Sequence, residues 1–122
     1  MTLLKRNETP LRPQKGIATR NGIPVAIQVK FSGGPYPDRM SSDGRIDHIG
    51  EGRSGRQVPL RGNKAMLAAE QLCTRIPVYE KVQSNAYRLL GEYVVHSHRI
   101  QQLDPKADRD WIGYVFTLDP AG

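Results

Sequence analysis

Gly50, Gly52, Gly55 and Gly62 fall within residues 47–65, and Arg53, Arg56, Arg61 and Lys64 are interleaved with them. Glycines at this density let a backbone turn sharply and come close to something else. Cations set between them suggest that this something is an anion. Residues 65–73 follow as a run of good helix formers, Ala65, Met66, Leu67, Ala68, Ala69, Glu70, Gln71 and Leu72 before Cys73, and predict a helix over 63–74. A basic, glycine-rich loop thus feeds a helix N-terminus, where free N–H groups favour phosphate. A solvated surface loop is the competing reading. Asn63 has two possible tasks at that point, capping the helix or entering a duplex.

The rest of the chain reads mainly as strands. Val25, Ile27, Val29 and Phe31 alternate with polar or small residues and predict a strand over 23–31. A short strand is expected over 45–49, with Ile46 on one face and Asp47 and Ile49 on the other. Residues 76–82 give another, with Pro77 at its start, and residues 87–95 a further one in which Gly91 marks a bulge or bend. The polar tract 101–110 reads as a loop, and residues 111–118 close the domain as a strand. Residues 1–21, with Lys5, Arg6, Arg12, Lys15 and Arg20 and no periodicity, read as an extended basic arm of the kind that orders on binding. Residues 22–118 form the domain and 119–122 a tail. One helix and about five strands make an α+β domain.

Charge narrows the partner. Residues 1–64 hold 12 Lys/Arg against 5 Asp/Glu, and residues 65–122 hold 6 against 7, so the whole +6 excess sits in the first half. Such one-sidedness points to nucleic acid or an anionic membrane before a neutral metabolite. The single cysteine, Cys73, excludes an internal disulfide framework. With no apolar run long enough for a membrane span or a signal peptide, a reducing, cytoplasmic setting is expected.

Catalytic constellations are lacking. His96 and His98 would share one strand face, but no third or fourth ligand stands nearby, so no metal and no cofactor are expected. Three histidines at 48, 96 and 98 do not supply an HNH site, and no nucleophile motif is present. The chain reads as a binding module with no catalytic residues.

Several of these stretches together resemble a family. Gly50-Glu51-Gly52, Gly55 and Arg61-Gly62-Asn63-Lys64-Ala65 are similar to the core signature of the SRA (SET- and RING-associated) domain, the modified-cytosine reader. The likeness is greatest to the prokaryotic SRA-like domains of McrA-type modification-dependent restriction endonucleases. Residues 32–38, containing Gly33, Gly34, Tyr36 and Asp38, resemble its Gly-Gly-Tyr-x-x-Asp segment. Pro77-Val78, residues 87–95 and residues 113–118 match its later strands in order and spacing.

The resemblance implies a PUA-like, curved and partly closed β-barrel with one main helix packed on it. It also implies a function: flipping 5-methylcytosine or 5-hydroxymethylcytosine out of duplex DNA into a pocket, with a nuclease domain or subunit elsewhere, in prokaryotic restriction and phage defence. On this likeness Asp38 accepts from the cytosine amine, and Ser32, Gly33 and Gly34 border the base. His48 stands at an aromatic stacking position, and Ile49, Gly50, Glu51 and Gly52 line the methyl-bearing edge. Pro35 stands where the family has tyrosine, so Tyr36 is taken as the first stacking wall. Arg53, Arg56, Gln57, Arg61, Asn63 and Lys64 are expected at the backbone and duplex. The rival functions are a PUA-like RNA or modified-nucleotide binder and, less favoured, a nuclease or glycosylase using Asp38 or Glu51.

Overall fold

The computed structural model describes residues 2–13, 15–33, 37–52, 55–103 and 111–122. Its strands are β1 (Ile17–Arg20), β2 (Ile23–Val29), β3 (Arg39–Met40), β4 (Ile46–Ile49), β5 (Ile76–Gln83), β6 (Ala86–Gln102) and β7 (Ile112–Pro120), with helix α1 (Arg61–Leu72) between β4 and β5. They form one seven-stranded sheet in the order β1-β2-β5-β6-β7-β4-β3. All pairings are antiparallel except β2 with β5, which run parallel with Ile27 opposite Val78. A parallel pair needs a long crossover. Here residues 30–75 supply it, carrying β3, β4 and α1 across the molecule and back.

The sheet curls until its ends face each other. β4 stands four places from β2 in the strand order. Even so, one Asp38 carboxylate accepts from the N–H of Lys30, just past β2, and from the N–H of Ile49, at the end of β4, both at 2.9 Å. Among the described residues no ladder joins the two sides, so this is a barrel left open along one seam and stapled by a side chain. The expected curved, partly closed sheet with a helix on it is what forms.

Helix α1 lies on one face, burying Ala65, Met66 and Ala69 against the core that contains Ile27, Val78, Val95 and Phe116. It ends at Cys73, whose left-handed backbone (φ 52°) turns the chain so that Thr74 N–H also reaches the Ala69 carbonyl, at 3.3 Å. The helix begins and ends two residues before the limits expected from composition.

Residues 1–21, read as an arm, contribute to the folded body. Asn21 and Gly22 both take positive φ, 53° and 76°, the geometry of the two-residue hairpin turn that Asn-Gly favours. That turn folds β1 back on β2. Leu4 exchanges both backbone hydrogen bonds with Tyr87, and Leu11 is only 4% exposed. The physical reason is the second face of the sheet, where Ala18, Ala26, Tyr79 and Tyr87 would otherwise meet water.

Two further differences concern β6 and β7. The former runs through Gln102, past the expected loop start at 101, because the nine-residue β7 pairs with it along its second half. Residues 104–110 of that loop lie outside the described residues. A bulge follows Val95, so that Ser97 opposes Thr117 and His98 opposes Phe116, leaving His96 unmatched. The two histidines therefore take different partners: His96 lies 3.4 Å from Asp119, whereas His98 lies 2.6 Å from Glu70 on α1. The bulge overturns the expected shared face. At Gly91, φ 132°, the expected irregularity is present: Val78 opposes Gly91 but Tyr79 opposes Leu89.

Candidate nucleic-acid interface

The open seam creates a small cleft of about 230 Å³, bordered by Ser32, Gly33, Asp38, His48, Ile49, Gly16, Gln28 and Lys30. His48 comes from the inward face of β4, alongside Ile46. Asp38 and His48 side chains are 10% and 4% exposed, and Asp38 Oδ1 stands 3.2 Å from His48 Nδ1. Neither imidazole nitrogen makes a hydrogen bond among the described residues. Each Asp38 oxygen accepts one backbone N–H and keeps a further lone pair. A buried carboxylate with spare acceptor capacity beside an unsatisfied imidazole is a site for a planar, polar ligand. Gly34 and Tyr36, expected at the same cleft, lie outside the described residues, as does Arg53.

A larger open cleft of about 840 Å³ continues from it, sharing Gly16, Gln28, Lys30 and Ile49 and adding Gly50, Glu51, Gly52, Val58, Leu60, Arg61 and Asn63. Its wall is the glycine-rich loop, and that loop is held from behind by two amides. Gln57 Nε2 donates to the carbonyls of Gly50 and Gly52, both at 2.9 Å, while its Oε1 accepts from Tyr114 N–H. Asn63 Oδ1 accepts from Glu51 N–H at 2.8 Å, and its Nδ2 donates to the carbonyls of Glu51 and Val58. A Cβ on Gly50 would stand 2.7 Å from both amide oxygens, which is why glycine is needed there. Trp111 Nε1 donates to Gly52 carbonyl from the far side.

Gln57 and Asn63, expected to touch DNA, are thus turned inward and buried. A loop without a ladder leaves carbonyls and N–H groups unpaired, and an amide side chain offers both a donor and an acceptor to satisfy them. Asn63 does not cap α1 either. Leu60 occupies the cap position, and the Glu51 carboxylate accepts from Gly62 N–H at 3.1 Å.

Four arginines away from the clefts are paired with carboxylates: Arg45 with Asp119, Arg88 with Glu80, Arg99 with Asp47 and Arg75 with Glu92. Around the large cleft stand Arg6, Lys15, Lys30, Arg61 and Lys81, and none has an ion-pair partner among the described residues. Of these, Arg61 was singled out from the sequence as a duplex contact, and Arg6 and Lys15 only as part of a basic arm. All but Arg61 come from the N-terminal segment, the end of β2 and β5, and no local motif links them. Arg56 is exposed beside the start of β7, bridging to Ile112, and Lys64 lies exposed on the first turn of α1.

A family model for the ScoMcrA-like SRA domain matches residues 12–122. The chain is an SRA domain of this family. Among solved structures this SRA domain is similar to the SUVH5 SRA domain in complex with hemimethylated CG DNA, with a TM-score of 0.74 and 20% identity over 91% of this chain and 76% of that one. SUVH5 SRA bound to fully hydroxymethylated CG DNA aligns with a TM-score of 0.70 and 21% identity, over 91% and 77%. The type IV phosphorothioation-dependent restriction endonuclease ScoMcrA aligns with a TM-score of 0.65 and 21% identity over 81% of this chain, which spans only 19% of that enzyme. No curated protein matches the SRA domain's sequence. No helix among its described residues is long and apolar enough to cross a membrane.

Proposed function

We propose that this SRA domain reads a modified cytosine in duplex DNA, 5-methyl or 5-hydroxymethyl, by extruding the base into the seam cleft. The observation that carries the reading is the Asp38–His48 pair: a nearly buried carboxylate keeping lone pairs for an exocyclic amine, next to an imidazole without a hydrogen bond. Cytosine presents an amine donor there and thymine an acceptor. The unpaired cations of the adjoining cleft take the phosphates, Arg53 and Arg56 add contacts at the rim, and Arg61 probes the duplex at the vacated position. By likeness to the family, Gly34 is assigned to border the base and Tyr36 to stack on it. Extrusion costs a few kcal/mol, offset by stacking, base-edge hydrogen bonds and backbone contacts. The domain itself has no catalytic role. It acts with a nuclease, in a longer polypeptide or as a separate subunit, in cytoplasmic restriction of modified DNA in a prokaryote.

The test is a panel of matched duplexes differing only at cytosine C5, titrated at one fixed salt concentration. A 2-aminopurine placed opposite or beside the target should brighten on binding if the base leaves the stack. Equal affinity across the panel, or binding without that signal, would refute base reading by extrusion.

A further inference from the structure

A second open cleft, about 620 Å³, lies between the N-terminal segment, β1 and the first turns of α1. Four cations line it, Arg12, Lys15, Arg61 and Lys64, and none has an ion-pair partner among the described residues. The acid on its wall, Glu51, already holds Gly62 N–H. Its floor is apolar, from Ile17, Ala65 and Ala68. Lys15, Glu51 and Arg61 line this cleft and the large one alike, so the two meet along a common ridge.

We infer that this second cleft holds the phosphodiester backbone of the duplex whose base occupies the seam, making the N-terminal segment part of the DNA interface. The inference rests on the base-reading proposal for which duplex is bound, but not for its chemistry. Four cations facing one carboxylate leave the concavity with an excess of positive charge that favours an entering anion. A small anion would serve one cleft. A nucleic-acid strand carries a negative charge about every 3.4 Å along its axis, so it can cross the ridge and neutralise both clefts without a break. An apolar floor between the cations suits sugar faces lying between phosphates. Arg12 and Lys15 gain a role here that the glycine-rich loop does not provide.

The experiment measures affinity for an unmodified duplex between 50 and 200 mM salt, using the wild-type chain, an Arg12→Ala/Lys64→Ala variant and an Arg45→Ala/Arg75→Ala variant. The last removes the same net charge from neutralised positions. Losing two phosphate contacts should flatten the slope of log K against log salt by about 1.8, so that the wild type loses about 12-fold more affinity than the variant over that range. The control pair should leave the slope nearly unchanged, and Arg12→Lys/Lys64→Arg should restore it. The ratio of modified to unmodified affinity should survive in all variants. An unaltered slope in the Arg12/Lys64 variant, or an equal fall in the control, overturns the second cleft. A wild type without preference for modified DNA, but with the slope change intact, sinks base reading and leaves this cleft standing.

Discussion

Replacing Asp38 separates the staple that its carboxylate forms from the base contact proposed for it. Its oxygens staple the seam by accepting from Lys30 N–H and Ile49 N–H at 2.9 Å. The Lys30 bond is exposed, so water can replace the carboxylate, and its loss costs about 1 kcal/mol. The Ile49 bond is half-buried and charge-assisted, and leaving that donor unsatisfied costs about 2 kcal/mol. Asp38→Ala should therefore lose about 3 kcal/mol of stability, whereas Asp38→Asn, keeping one acceptor oxygen for Ile49, should lose about 1 kcal/mol. In urea the Ala midpoint should fall with little change in slope, since the surface exposed on unfolding is nearly the same. Binding gives the second readout. Below the onset of unfolding, Asp38→Ala should lose about 1–3 kcal/mol of preference for the modified duplex, the worth of a specific base contact, and Asp38→Asn less. Non-specific binding should persist in both. An Ala variant as stable as wild type would refute the staple; one that keeps its full preference would remove Asp38 from base recognition.

Asn63→Ala strands a donor and two acceptors behind the glycine-rich loop and should cost about 3 kcal/mol in urea unfolding, well above the ~1 kcal/mol of a lost helix cap; a loss near 1 would mean that the loop is not braced there. Gly16→Ala places a Cβ at an ordinary 3.7 Å from His48 Cε1, so thermal stability should hold while the narrowed cleft lowers preference for modified over plain DNA; an unchanged preference would move the base away from His48. Burial raises the Tyr79 and Tyr93 phenols above their ordinary value of 10.0. The folded state keeps them neutral longer than the unfolded chain does, so their contribution is intact below pH 10 and lost as pH climbs through the raised values; urea midpoints from pH 8 to 11 should stay level and then fall, and a midpoint that rises above pH 10 would contradict this.

Strands with clear alternation were legible because each buries one face: Val25, Ile27 and Val29 need only local pattern to declare themselves. Gly91 was legible for the opposite reason, since glycine inside a strand has no packing purpose. β1 was missed although Asn21-Gly22 announces a hairpin, because four residues between cationic and prolyl neighbours establish no period. The far half of β6 is polar, and pairing with β7 rather than its own composition extends it. In the site, Asp38 and His48 could be picked out only through resemblance to a family. The inward turn of Gln57 and Asn63 depends on which carbonyls the loop strands, a fact of three-dimensional structure. Lys30 and Lys81 converge through the parallel pairing of β2 with β5, and Lys15 joins them through the pairing of β1 with β2; no spacing along the chain encodes that.

On the proposed reading, the open seam explains why the base would enter where it does. Had β2 and β4 paired, their terminal N–H groups would be consumed by a ladder and the interior sealed. Because they stop short, those donors need an acceptor, and Asp38 provides one for each while retaining further acceptor capacity. The same gap leaves His48 buried without a hydrogen bond, a cost the chain does not offset among its described residues. Cations around the gap repeat the pattern at longer range, for carboxylates pair with Arg45, Arg88 and Arg99 but, among the described residues, with none of the cations lining the large cleft. On the proposed reading, the spare acceptor capacity of Asp38, an imidazole without a hydrogen bond among the described residues and the cleft cations are all met by one event, a polar base entering the seam with its phosphates along the rim. Stability withheld at the seam is thus available as binding energy, and substitutions that satisfy these groups internally should stabilise the fold while weakening its hold on DNA.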